Sequence, residues 1–504
     1  MATGTLTGQT IANTYKSLLK ITGTTGGGET LHATTQKVIE DGDGNPFPFS
    51  AAQDAILMTG TSRLEFNDNG EYISGDGTDL TITSGNDIKL AVGAAGSVHS
   101  SGSAGTSNTV LGIDAGAILH ANSDFNVFIG DTVADATMTA TADSNTGVGY
   151  AALGALTSGN RNTAVGKDAF IALTTGQYNV AIGYDAGTAL VGGTHNVIIG
   201  DSAGIATTTV DKAVIIGQAA GGGVLTAAAD GTIAIGVEAG NRITSGAGNL
   251  AIGYQCMDAL TVGELNTAVG YGALGTSVDG SYNAAFGYQA LEVFEAGSNA
   301  GENTALGYRA GRYISTGVSN TFVGSQAGQA IIGTPSVGNN NTGVGKDALI
   351  AIQAGASNVA VGAYALDANT TGDNNVSIGL SSLGSNTTAD NNTAVGKNAL
   401  HENTTGDENT AIGTNALDAN TTGADNVAVG VNALSANTTA NNNVAVGRTA
   451  LEVNTTGANL TAVGRDALAG NTTASNNTAV GYKALLTNST GATNTALGVN
   501  ALYA

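Results

Sequence analysis

From residue 108 onward, apolar and polar positions follow one short ruler. A glycine preceded by Val, Ile, Leu or Phe recurs every 17 residues at Gly362, Gly379, Gly396, Gly413, Gly430, Gly447, Gly464, Gly481 and Gly498. Traced backwards, the register picks up Gly345, Gly324, Gly307, Gly287, Gly270, Gly253, Gly236, Gly217, Gly200, Gly183, Gly166, Gly149, Gly130 and Gly112. That makes 23 copies and 22 spacings, of which 17 are 17 residues long and five run from 18 to 21. So short a period is that of a solenoid, whose units bury their apolar faces only by stacking on one another. A helical pair needs roughly twice the length, so each coil is predicted to be two short β-strands and two turns.

The copy at residues 409–425 illustrates the expected roles. The apolar residue before the glycine, from Leu111 to Leu497, predicts one interior column. The residue ahead of it is mostly Ala, as at Ala394, Ala411, Ala428 and Ala445, and in a strand it faces the other way. Its small size predicts a second packed face, against another chain. The glycine ends the strand where a side chain would obstruct the bend. Four residues on stands Leu366, Leu400, Leu417, Leu434, Leu451 or Leu485, with Gly187, Gly204, Gly240 and Gly311 in earlier copies. Asn-Thr-Thr-Gly then supplies the return turn. Asn opens the phrase in 20 of 23 copies, the exceptions being Ala213, Thr232 and Leu460, which predicts a stacked amide ladder. With parallel strands about 4.8 Å apart, the stack is on the order of 105 Å long.

Composition supports a built object over a reaction vessel: 76 Gly, 3 Pro, no Trp and 11% charged residues. The net charge of −23 repels phosphate backbones and argues against nucleic-acid binding. Cys256 is the one cysteine and is expected to be a small buried filler. No signal peptide is visible, and no apolar run is long enough for membrane insertion. The Asn-Thr-Thr sequons are read as turns, not glycan acceptors.

Before residue 108 the pattern changes. Ile11, Tyr15, Leu18 and Leu19 fall at helical spacing and predict one short helix. Alternation of Leu64 with Phe66, Leu80 with Ile82, and Ile88 with Leu90 and Val92 predicts strands, with turns at Asn69-Gly70 and Asp76-Gly77. The chain is thus expected to divide into an N-terminal region at 1–50, a β-rich connecting region at 51–107 and the solenoid at 108–504.

The phrase Asn-(Thr/Val/Ser)-Ala-(Val/Ile)-Gly, followed by Ala-Leu or Ala-Gly, resembles the head repeats of trimeric autotransporter adhesins. It resembles more closely the longer repeats of bacteriophage tail fibres, and residues 17–21, 39–44 and 72–80 look like the N-terminal parts of such fibres. The resemblance implies an all-β parallel β-solenoid, a left-handed β-roll of about 23 coils, assembled as a homotrimer with its Ala or Leu column near the three-fold axis. It further implies attachment to phage tail or baseplate proteins through the N-terminus, location on the virion, and contact with a host surface glycan or protein. An autotransporter would begin with a signal peptide and end in a membrane barrel. A bacterial cell-surface adhesin, extracellular, is therefore the alternative. Many related fibres carry a C-terminal self-cleaving chaperone domain, whereas this sequence runs to Ala504 in mid-pattern.

Candidate chemistry is sparse. Tyr follows the repeat glycine in four consecutive copies, Tyr254, Tyr271, Tyr288 and Tyr308, and again at Tyr150, Tyr184 and Tyr482. Such rings suit a receptor contact or simple ring-on-ring packing. Insertions at 292–302 and 329–340 are expected to bulge outward, making Phe294 and Pro335 further receptor candidates. Asp41, Asp43 and Asn45 open like a calcium loop but are followed by Pro46 and Ala52 where Gly and Glu belong. His32, His99, His120, His195 and His401 lack partners at ligand spacing, so no metal or cofactor is expected. Nor is an enzyme. A polysaccharide depolymerase would have to draw on stacked acids such as Asp373, Asp390 and Asp407, which occupy turn positions. An ice-binding rod would use the column Thr404, Thr421, Thr455 and Thr472.

Overall fold

The computed structural model describes residues 107–294, 301–334 and 336–503, and ahead of them the backbone of seven strands. The chain divides into two units, 1–98 and 99–504. In the first, β1 (Lys20–Thr22), β2 (Lys37–Glu40), β3 (Pro46–Ala52) and β4 (Ala55–Met58) pair in order as an antiparallel sheet. β5 (Arg63–Glu65), β6 (Tyr72–Gly75) and β7 (Leu80–Thr83) form a second antiparallel sheet. The expected helix through Ile11, Tyr15, Leu18 and Leu19 lies outside the described residues, as do the 88–92 run, the two turns and the calcium-like segment.

The second unit is a parallel β-solenoid of about 22 turns. Its 23 strands run from β8 (Thr109–Leu111) to β30 (Thr495–Leu497). Successive strands pair parallel and in register: Thr393 faces Thr410, Ala394 faces Ala411 and Val395 faces Ile412. Helix among the described residues is a single 3-10 turn, Ala227–Ala229.

Each coil contains one three-residue strand, not the two expected. The other leg curls, because Asn398 (φ 52°) and Leu400 (φ 55°) both take left-handed backbone, as does Asn391 (φ 59°) ahead of the strand. That conformation is costly for Leu, and its hydrogen bonds and burial offset the cost. The Leu417 N–H donates to the Ala433 carbonyl in the next coil at 2.9 Å, and the Gly413 N–H to the Val395 carbonyl in the preceding one at 2.8 Å. Bonds of this kind surround every coil, so the backbone is satisfied along the turns as well as the strands. The repeat glycine is needed here: Gly413 has φ 133°, and a Cβ on it would press against the Gly430 carbonyl.

The interior reverses the expected assignment of faces. Only the central residue of a three-residue strand points inward, so Ala394, Ala411, Ala428 and Ala445 are fully buried. The column ahead of the glycine is outward and half-buried or exposed, as at Val395 and Ile412. Alanine is small because the coil is thin and Leu400 or Leu417 fills it from the opposite leg; each such burial contributes about 2 kcal/mol. In three coils where that leg carries glycine the central residue is larger: Ile198 faces Gly204, Ile215 faces Gly221, and a side chain at Gly328 would strike the Phe322 ring, whereas Ala181, Ala234 and Ala305 stay small beside Gly187, Gly240 and Gly311.

Amide ladders complete the core. Asn426 donates its backbone N–H and its Nδ2 to Asn409 Oδ1, at 3.0 and 3.1 Å, and Nδ2 also reaches the Ala440 carbonyl at 2.9 Å. At Ala213 and Leu460 the backbone N–H still finds the preceding Asn Oδ1, and what is lost is the side-chain rung and the acceptor for the N–H of the next coil. A second ladder runs through the sequon residues: Asn420 Nδ2 donates to Asn403 Oδ1, and Asn437 Nδ2 to Asn420 Oδ1. These asparagines are fully buried.

Candidate functional site

The residue after each repeat glycine leaves the strand and turns outward, forming a column along the surface. Lys346, Ala363, Lys397, Thr414, Val431 and Arg448 occupy it elsewhere. In four consecutive coils it holds Tyr254, Tyr271, Tyr288 and Tyr308, which are 41–46% exposed. Their rings stack face to face, with centroids 5.2, 5.1 and 5.5 Å apart and planes within 16°. The Arg309 guanidinium lies 4.8 Å from the Tyr308 centroid and 5.9 Å from that of Tyr288.

A polar row runs beside the tyrosines: Gln255, Gly272, Gln289 and Arg309. Gln255 Nε2 donates to Glu238 Oε2 at 2.7 Å, and Gln289 Nε2 to Glu292 Oε1 at 2.6 Å. Arg309 Nε donates to Gln289 Oε1 at 3.2 Å, and Arg312 pairs with Glu292. On the strand side lie Ile252, Val269, Phe286 and Leu306, the last two exposed.

Phe294, expected on the surface, is fully buried. It takes the corner position filled by Leu260 and Ile314 in nearby coils, and its ring uses the space that Gly280 leaves. The 292–302 insertion therefore begins after an inward anchor. Pro335 lies outside the described residues. The 329–340 insertion does carry an exposed turn, with Ile332 75% accessible.

Two further surface ladders are present, one joining the sequence-predicted Tyr150 and Tyr184 through Lys167 and one that escaped the sequence reading. Lys167 Nζ lies between Tyr150 and Tyr184, 5.6 and 5.1 Å from their centroids. The hydrogen bond that Lys167 Nζ donates to the Asp168 carboxylate is the main cause raising the Lys167 pKa. Tyr178 stacks on His195 at 4.8 Å with Arg161 over its other side. The 17-residue spacing of 161, 178 and 195 was the available signal, hidden because the three residues differ in type.

The remaining candidates have structural partners. Asp373, Asp390 and Asp407 each accept, through Oδ1, a backbone N–H from the coil before, at 2.7–2.8 Å. The Thr404 and Thr421 hydroxyls donate to the Thr421 and Thr438 carbonyls at 2.9 and 3.0 Å, and Thr455 and Thr472 behave alike. Cys256 is buried with Sγ 3.2 Å from the Ala268 carbonyl, and burial pushes its thiol up to about 12, which makes it a poor nucleophile.

The architecture defines a parallel β-solenoid repeat protein. No family model matches the chain, and no match was found among curated proteins or solved structures.

Proposed function

We propose that this chain is a structural and adhesive fibre of a bacteriophage tail, joined to the virion through its N-terminal region and presenting the solenoid to the host surface. The resemblance of the repeated phrase and of residues 17–21, 39–44 and 72–80 supports the phage assignment. One observation carries the self-associating, fibrous part of the reading. The two outward positions of each strand hold Val, Ile, Leu, Phe, Thr or Ala in all 23 copies, without one charged residue, in a chain of net charge −23. Half-buried or exposed β-branched residues along one whole face fit a copy of the same chain, which repeats at the same pitch. The homotrimer is thus assigned to the Val/Ile face, not the Ala or Leu columns, and the left-handed roll remains part of the proposal. Three chains acting together gain avidity from weak contacts.

Light scattering on the native chain tests self-association, and a folded monomer would sink it. Immunogold labelling of purified virions tests the fibre assignment. Label on cells from phage-free cultures would favour the cell-surface adhesin instead.

A further inference from the structure

We propose that the row Tyr254, Tyr271, Tyr288 and Tyr308 binds an extended, uncharged glycan lying lengthwise along the solenoid and meeting the rings at their edges. The proposal rests on the host-surface reading only in taking the glycan to be a surface polysaccharide.

Stacking removes the usual mode of sugar recognition. Each inner ring has both faces against a neighbouring ring, and Arg309, 5.9 and 4.8 Å from the Tyr288 and Tyr308 centroids, sits beside the stack between those two rings. A pyranose cannot lie flat on a covered ring. What the row offers is four ring edges, which carry the positive side of the aromatic quadrupole, and four hydroxyls. Some tyrosines elsewhere have theirs engaged: Tyr282 donates to Glu264, and Tyr364 accepts from Lys346. The four in the row have no such partner among the described residues.

Spacing and surroundings then select the ligand. Rings 5.1–5.5 Å apart place one hydroxyl per coil, about the length of one sugar unit in an extended, equatorially linked chain. The Gln255 and Gln289 amides and the Arg309 guanidinium flank the row on the side away from the strand face that the homotrimer would cover. Convergent hydroxyls, amides and a guanidinium match the hydroxyl edge of a sugar chain. Glu238 and Glu292 are engaged by Gln255 and Gln289, and the chain's overall negative charge disfavours an acidic polymer. Packing alone does not require tyrosine here, since Ala363, Thr414 and Val431 hold the same position in equally regular coils.

The test uses the full chain, whose tyrosine emission is unobscured because it contains no Trp. Probes are soluble β-1,4-linked glucose and N-acetylglucosamine oligomers of increasing length, with an acidic polysaccharide for contrast. The double variant Tyr271→Phe with Tyr288→Phe keeps the stack and removes two hydroxyls. Expected are affinity for a neutral oligomer that rises with its length, and binding roughly tenfold weaker in the Phe variant at an unchanged melting temperature. Binding of no neutral oligomer, preference for the acidic polymer, or equal binding by the Phe variant would overturn the proposal. Adsorption to host cells is read in parallel. Equal adsorption by wild type and Phe variant would reject the tyrosine row and leave the fibre reading standing, whereas oligomer binding without cell adsorption would do the reverse.

Discussion

Coils up to residue 352 and coils from residue 369 close the same corner with opposite chemistry. In the earlier stretch the corner is apolar in most coils, filled by Leu156, Leu173, Leu190, Ile243, Leu260, Phe294, Ile314 and Ile352. From Asn369 to Asn471 it is an unbroken column of buried amides. Both versions keep the strand register, the glycine row and the first Asn ladder. The coil thus requires a filled volume and satisfied polar atoms, and is indifferent to which of the two does the filling. The earlier stretch varies more and compensates locally, as with Ile198 and Gly204. It also carries both long insertions and the tyrosine row.

The most damaging test inserts charge into a column common to both stretches. Ala411→Glu with Ala428→Glu places unpaired carboxylates in the interior, and destabilisation above about 4 kcal/mol is expected. Circular dichroism should record lost structure. A folded chain with only its oligomeric size altered would mean that the Ala column is an intermolecular contact after all. Ala164→Glu should behave alike in the earlier stretch.

Local compensation can be broken where it is greatest. Phe322→Ala should cost about 3–5 kcal/mol, because the ring fills space left by both Gly328 and Gly343. Hydrogen exchange in β20 (Thr321–Val323) should report it, and a cost near 1 kcal/mol would argue against the volume rule.

Exchanging the two corner chemistries should cost less, about 2–3 kcal/mol. Asn420→Leu strands Asn403 Oδ1 and leaves the Asn437 amide with the Ala440 carbonyl alone, while Leu173→Asn buries an amide with no like neighbour. Thermal melts check both. Neutral outcomes would show that the corner accepts either residue singly, without a ladder.

The smallest effect concerns two half-buried carboxyls, Asp367 and Asp418. Burial is the main cause raising the Asp367 and Asp418 pKa values; His401 opposes it in both, while Asp347 and Glu402 respectively add to it. A carboxyl whose folded pKa exceeds its unfolded one adds stability while protonated, below about pH 4, and loses it as pH rises through the folded value. Asp367→Asn and Asp418→Asn should therefore raise the melting temperature slightly at pH 7 and leave it unchanged at pH 3. A lowered value at pH 7 would show that the attraction to His401 outweighs burial.

Period, strand location and ladder were legible because identical residues recur at Gly413 and Asn409. The facing of the strand was not. Val before glycine looks like core and Ala like contact until the strand is known to span three residues, with only its centre inward. Phe294 was misplaced because an insertion was counted from its first extra residue, although that residue still filled the regular corner. The tyrosine column was readable from spacing, but the covering of its faces required ring geometry.

The glycine row also governs how such a chain can change length over generations. Each repeat glycine lies against the backbone of the next, so removing one whole repeat from the later stretch brings equivalent residues together and leaves every ladder continuous. Removal of a stretch that does not return to the same position of the repeat would set a side chain against a carbonyl at the junction. Recombination between neighbouring copies is thereby confined to whole units, and reach can be adjusted in increments without redesigning the surface at either side of the deletion.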